Sequence, residues 1–254
     1  MMQGKVALIS GGAEGIGGAV ARKFIAAGGA VMLGDIQAEK AAALATELGE
    51  RAASIPLDVS NYSHWQSAVA ACVERFGKLT HLFNIAGISE PGTVEDVDLE
   101  SWNRTMAINL NGTFYGCRAA IPAMVASGES GAIVNTGSML ALRPGAMFIA
   151  YCSSKAAVTA LSKCVALDCA AKGYPIRVNT VHPGAIRTPM FERYLDAFPG
   201  SNDEAEAMFA ANHPLGRVGE ANEVANAMMF LASDASSFTT GVDLTVDGGG
   251  NFRS

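Results

Sequence analysis

The 254-residue chain is poor in charge: 17% of its residues are Asp, Glu, Lys or Arg, with 24 acidic residues against 18 basic ones. No basic stripe is available to grip a polyanion, so no nucleic-acid partner is expected. Apolar runs are short. None reaches the ~18 residues of a membrane span, so no membrane partner is expected either. Cysteine is sparse and odd in number: Cys72, Cys117, Cys152, Cys164 and Cys169, with no CxxC. That pattern reads as idle thiols in a reducing compartment. His64, His81, His182 and His213 lie far apart and form no HxxxH or HExxH pair, so no metal site is expected. Met1-Met2-Gln3-Gly4-Lys5 runs straight into Val6-Ala7-Leu8-Ile9 with no cleavage-site pattern, and a cytoplasmic protein is expected. Internal repeats, low-complexity tracts and interdomain linkers are missing too.

Half of the residues are apolar, enough for a large core and too many for disorder. The length suits one α/β domain, 1–254. Short β-branched runs at 6–10, 30–35, 52–57, 79–84, 132–136, 176–182 and 242–246 alternate with Ala-rich helical stretches at 15–28, 38–49, 61–76, 99–126, 151–172 and 220–233. That alternation predicts βαβ units: a doubly wound, Rossmann-like parallel sheet of about seven strands with helices on both faces. The strands are apolar throughout, as sheets covered on both faces should be. Segment 187–219 breaks the rhythm with Pro189, Pro199, Gly200 and Pro214 and two short helical pieces near 190–198 and 203–211. A long insertion at the carboxyl end of a strand is a candidate substrate lid.

The first strand runs into Ser10-Gly11-Gly12-Ala13-Glu14-Gly15-Ile16-Gly17 and then a helix. The spacing is GxxxGxG rather than GxGxxG. Such glycines let backbone approach a pyrophosphate at a helix start, and they also serve plain tight packing. The second strand ends at Asp35. A carboxylate there can accept from both adenosine ribose hydroxyls and repel a 2′-phosphate, or it can be a solvated strand end. Glu14 adds a second negative charge, and Ile36 and Gln37 supply no cation to offset it. NAD is therefore expected over NADP.

Tyr151 and Lys155 are four apart in a helical stretch and share one face. Alone the pair is weak, but Ser138 lies thirteen residues upstream of Tyr151, just past a strand, and Asn109 sits in the preceding helical stretch. Together with Asp58-Val59, Asn84-Ile85-Ala86-Gly87, Tyr151-Cys152-Ser153-Ser154-Lys155 and Pro183-Gly184-Ala185-Ile186-Arg187-Thr188, these residues resemble the short-chain dehydrogenase/reductase family over nearly the whole chain. The resemblance implies an enzyme in which Tyr151 takes the hydroxyl proton of a secondary alcohol, Lys155 stabilises the phenolate and holds the nicotinamide ribose, Ser138 orients the substrate oxygen, and Asn109 keeps a water in line with Lys155. It implies cofactor contacts at Gly11, Glu14, Gly15, Ile16, Gly17, Asp35, Ile36, Asp58, Val59, Asn84, Ala86, Gly87, Pro183, Gly184, Ile186 and Thr188. The family usually has a second Asn where Ile85 stands, which puts sheet bracing in doubt here. It also implies a homotetramer built on helices 99–126 and 151–172 and the C-terminal strand.

His182 is read as structural, Cys152 as without a role, and Trp65 and Trp102 as helix packing. Ile88, Met139, Leu140, Phe148 and Gly184 should lie near the reacting carbon. They are joined from the lid by Met190, Phe191, Tyr194, Leu195, Phe198, Met208 and Phe209, any of which could instead anchor the lid. That wall is apolar, and the lid carries Glu192, Asp196, Asp203, Glu204 and Glu206 against Arg187 and Arg193, so a neutral small-molecule substrate is expected. Segments such as Glu47-Leu48-Gly49-Glu50-Arg51 and Gly173-Tyr174-Pro175-Ile176-Arg177-Val178-Asn179 are similar to bacterial NAD-dependent 3β/17β-hydroxysteroid dehydrogenases, which makes a hydroxysteroid or another alicyclic or aryl alcohol the expected substrate. The alternatives are a 3-oxoacyl-(acyl carrier protein) reductase and a non-catalytic NAD-binding homologue.

Overall fold

A computed structural model describes residues 2–252. Seven strands form one parallel sheet: β1 (Val6–Ser10), β2 (Ala30–Asp35), β3 (Ala52–Pro56), β4 (His81–Asn84), β5 (Gly131–Thr136), β6 (Ile176–Pro183) and β9 (Asp243–Val246). Their order is β3-β2-β1-β4-β5-β6-β9. The strand order reverses between β1 and β4, and ligands of such sheets bind at the carboxyl ends beside that point.

Alternate side chains of each strand enter two separate cores, as a period of two demands. Ile9, Leu33, Val134 and Val181 pack under α1 (Gly15–Ala26), α2 (Ala38–Leu48) and α10 (Ala221–Ala232). Leu8, Met32, Leu82, Ile133 and Val178 pack under α3 (Tyr62–Phe76), α5 (Gly112–Ala126) and α7 (Ile149–Ala171). Trp65 is wholly buried in the second core and donates from Nε1 to Val59 O at 3.0 Å. The five cysteines are free, four of them buried.

The stretch expected as one helix, 99–126, is three pieces. It runs as α4 (Leu99–Thr105), a π-helical segment Met106–Asn111, and α5. Wide π turns cluster at functional sites, and this one carries Asn109. The long segment after β6 holds β7 (Ile186–Arg187), α8 (Pro189–Asp196), α9 (Asn202–Ala210) and β8 (Gly219–Glu220). β7 and β8 pair in parallel and close the base of this segment. A short helix, α6 (Met139–Leu142), follows β5.

Candidate active site

A cavity of about 900 Å³ opens at the carboxyl edge of the sheet. One end is the glycine turn. Gly11 has φ +67°, and a Cβ there would stand 2.8 Å from Ala86 N; one at Gly17 would stand 1.9 Å from Gly11 O. The turn is therefore closed to side chains, and it lays bare backbone on the cavity. Glu14, the N-cap of α1, makes no side-chain cap, so the N–H groups of the first turn stay open toward the cavity. The Ser10 hydroxyl accepts from Ile85 N at 3.1 Å and Ala86 N at 3.4 Å, seating the end of β4 against β1. These features fit a dinucleotide phosphate.

Asp35 is 7% exposed and lines the cavity. Its oxygens accept from Ala13 N at 3.0 Å and Gln37 N at 2.9 Å, which fixes the carboxylate. Asp58 accepts from Ser60 N at 2.9 Å and Ser60 Oγ at 2.7 Å. Gly15, Ile16, Ile36, Val59, Ala86 and Gly87 line the same end. The expectation that nothing offsets Glu14 does not hold. Lys40 Nζ meets Glu14 Oε2 at 2.7 Å, and Gln37 Nε2 donates to Oε1 at 3.3 Å. Lys40 lies one turn into α2, within reach across the β2–α2 corner.

Asn84 is displaced from the expected cofactor contacts. It is buried and is not among the cavity lining. In register opposite Asn135, it donates from Nδ2 to Asn135 Oδ1 at 2.8 Å, and Asn135 donates to Ser162 Oγ at 2.8 Å. The bracing put in doubt by Ile85 is thus supplied by Asn84, Asn135 and Ser162.

The opposite wall carries Ser138, Tyr151 and Lys155. Ser138 caps α6, its Oγ accepting from Leu140 N at 3.1 Å, and it lines the cavity beside Tyr151. Lys155 is 3% exposed and donates from Nζ to Thr136 O at 2.8 Å. A Cβ at Gly87 would stand 3.4 Å from that Nζ and 3.1 Å from Asn109 Oδ1, so these three residues converge. Asn109 is fully buried and does not line the cavity. Its carboxamide holds both polar groups of the Ile88 backbone at 2.9 Å and donates to Ser154 Oγ at 3.0 Å. Its backbone carbonyl accepts from Thr113 Oγ1 at 2.8 Å. Burial pushes the Tyr151 phenol up to about 12 and the Lys155 ammonium down to about 8. Desolvation disfavours both charges, and Lys155 Nζ is bonded to Thr136 O.

Pro183, Gly184, Ile186 and Thr188 line the far side. Gly184 N donates to Val246 O at 3.0 Å and Ala185 N to His213 Nε2 at 2.9 Å. Thr188 caps α8 through Phe191 N. From the segment beyond it, Met190, Phe191, Tyr194 and Phe209 face the cavity, beside Met139, Leu140 and Phe148. Leu195 and Phe198 pack instead with Ala205 and Val218, and Met208 is exposed. Tyr194 stacks edge-on against Phe148 at 5.8 Å and donates from its hydroxyl to Ser89 O at 2.9 Å.

The expected acidic mouth is not there. None of Glu192, Asp196, Asp203, Glu204 or Glu206 lines the cavity; Arg143 and Arg193 do. Phe191 and Leu195 take the buried face of α8, which turns Glu192 and Asp196 outward. The sequence reading also missed loop 144–147 and His213 in the lining. The spacing between Ser138 and Tyr151 was the available signal for the loop. His182 is fully buried and outside the lining. Among the described residues no cluster is placed to hold a metal, and no helix is long and apolar enough to cross a membrane.

The profile described as enoyl-(acyl carrier protein) reductase matches residues 11–251. The chain is 41% identical to the 2,5-dichloro-2,5-cyclohexadiene-1,4-diol dehydrogenase of Sphingobium indicum, over 98% of this chain and 96% of that protein. It is 39% identical to the 3-beta-hydroxysteroid dehydrogenase of Comamonas testosteroni, over 97% and 95%. Among solved structures, the 3-ketoacyl-(acyl-carrier-protein) reductase of Brucella melitensis complexed with NADH superposes with a TM-score of 0.90 at 32% identity, covering 99% of this chain and 100% of the other.

Proposed function

The chain belongs to the short-chain dehydrogenase/reductase family, and from that premise we propose that it is an NAD-dependent dehydrogenase for secondary alcohols carried on a ring, hydroxysteroids among them. One observation carries this reading: Ser138, Tyr151 and Lys155 share one wall of a cavity whose other end is a glycine cradle. The cradle residues would hold a nicotinamide cofactor, which when bound exchanges a hydride with the carbinol carbon.

The protein's own part is binding and proton handling. The Ser138 hydroxyl donates to the substrate oxygen and fixes its position. Tyr151 takes the proton from that oxygen as the alcohol is oxidised, and returns it in the reverse direction. A phenol raised to about 12 is a poor base unaided. The Lys155 ammonium, 5.8 Å from the Tyr151 ring centroid, is the cation at hand to stabilise the phenolate. Asn109 holds the Ile88 backbone, and Gly87 lets it approach Lys155 Nζ closely.

Asp35 supports NAD over NADP. A 2′-phosphate at that ribose would face its buried carboxylate, a repulsion of about 1 kcal/mol or more. Glu14 adds little, being neutralised by Lys40. The substrate class follows from the wall of Ile88, Met139, Leu140, Phe148, Met190 and Tyr194 and from the ring alcohols named for the two dehydrogenase relatives. Segment 187–219 would act as the lid over it. Free, mostly buried thiols suit a cytosolic enzyme. Exposed Phe114, Leu167, Phe230 and Phe238 are apolar surface that a homotetramer would cover.

The test is NADH absorbance with 3β- and 17β-hydroxysteroids, cyclohexanol and 1-phenylethanol, with NAD and NADP in parallel. Turnover of a ring alcohol with NAD is expected. The second reading, a 3-oxoacyl reductase, is favoured by the Brucella structure. Faster turnover of acetoacetyl thioesters than of any alcohol would select it.

A further inference from the structure

His182 lies beneath the reacting wall with no atom exposed. It sits on β6, between β5 on one side and β9 on the other. Its Nδ1 lies 2.9 Å from Ser138 O and 3.3 Å from Ser138 N. Its Nε2 lies 3.2 Å from Asp243 Oδ1. The other oxygen of Asp243 pairs with Lys163, which is on α7, the helix of Tyr151 and Lys155.

The residue before Ser138 is adapted to this contact. A Cβ at Gly137 would stand 2.5 Å from both Nδ1 and Cε1, so only glycine before Ser138 lets the imidazole reach the peptide. Gly137 N is tied to Val181 O at 2.8 Å, which sets the register at that point. On the far side of Ser138, Oγ accepts from Leu140 N, which fixes the side chain on the cavity wall. Backbone and side chain of one residue are thus clamped separately, and the backbone clamp is His182.

We propose that His182 is a positioning residue for the reaction: it holds the Ser138 peptide, and through it the Ser138 hydroxyl, in place relative to Tyr151, with Asp243 on β9 orienting the ring and Lys163 tying Asp243 to the helix that carries Tyr151. Asp243 Oδ1 fixes the Nε2 edge of the ring, which aims the Nδ1 edge at the Ser138 peptide. A histidine that merely fills the core would pack as well but would have no particular coupling to Ser138.

The inference rests on reading Ser138 and Tyr151 as the reacting groups, and the experiment separates the two claims. His182→Phe, His182→Asn and Asp243→Asn are each made in the wild-type and Ser138→Ala backgrounds. Measured for each are kcat and KM with NAD and the best alcohol of the panel, and NADH affinity by fluorescence. In the wild-type background His182→Phe is expected to lower kcat on the order of 10- to 100-fold with NADH affinity unchanged. His182→Asn, whose amide reaches the same peptide, recovers most of that loss. In the Ser138→Ala background none of the three changes lowers kcat further.

Losses that multiply with Ser138→Ala, or wild-type kcat in His182→Phe, overturn the positioning role. If His182→Phe does not fold, Asp243→Asn decides: a few-fold loss that vanishes with Ser138→Ala supports the role, and an undiminished loss or no loss overturns it. Full turnover by Tyr151→Phe overturns the underlying reading and the positioning role with it. Turnover lost in Tyr151→Phe alongside multiplying losses overturns the positioning role alone.

Discussion

Lys155 Nζ donates to Thr136 O across 2.8 Å, fastening the helix of Tyr151 to the end of the strand that leads into Ser138. One buried cation thereby registers two elements that meet only at the cavity. It also lies 5.8 Å from the ring centroid of Tyr151, the phenol proposed to move the substrate proton. In that proposal structure and proton chemistry draw on the same ammonium, which burial pushes down to about 8.

Asp35→Ala is expected to narrow the preference for NAD over NADP about tenfold, by removing a fixed carboxylate from the ribose end. Lys40→Ala should do the opposite, since it uncovers the charge of Glu14. The ratio of kcat/KM for the two cofactors checks both. An unchanged ratio in Asp35→Ala would discard Asp35 as the selector.

Tyr194→Phe removes the hydroxyl that joins the segment after β6 to Ser89 O. One such bond contributes about 1 kcal/mol. KM for the alcohol should rise about fivefold, with kcat within about twofold, because no reacting group moves. A fall in kcat with unchanged KM would place Tyr194 in the chemistry instead.

Asn135→Leu leaves Asn84 Nδ2 and Ser162 without their buried partner. The expected destabilisation is about 2 kcal/mol in urea unfolding. A loss within about 0.5 kcal/mol would mean that the strut between β4 and β5 is dispensable.

His81 is buried, and burial pushes it down to about 4 from an ordinary 6.5. The unfolded chain therefore binds a proton, and the folded chain does not, between those values. Stability is lost as pH falls from 6.5 toward 4, by an amount on the order of 3 kcal/mol. His81→Leu should flatten the acid limb of a stability–pH curve. An equally steep limb in the variant would assign acid unfolding to other groups.

Much of this was legible in the residues themselves. Apolar runs of four to eight residues marked all seven strands to within two residues, because a sheet buried on both faces needs them. The glycine turn and the Ser138, Tyr151, Lys155 set were legible as patterns. What escaped depends on pairing across the fold. Asn84 looked like a cofactor contact until strand register set it opposite Asn135. Lys40 is 26 positions from Glu14, and no local pattern joins them. The π turn at 106–111 adds no change in polarity that a period of 3.6 would betray. The outward lid carboxylates were legible in principle: Phe191 and Leu195 are four apart, so Glu192 and Asp196 had to turn away from the buried face.

The central claim is that Tyr151 moves the substrate proton in a cavity that holds NAD. The most direct measurement compares wild type and Tyr151→Phe in one assay: NADH formed from a ring alcohol at saturating NAD, with NADH affinity measured alongside by fluorescence. The expected result is turnover in the wild type, a loss of about 100-fold or more in the variant, and equal NADH affinity in both. Comparable turnover in the two proteins would contradict it.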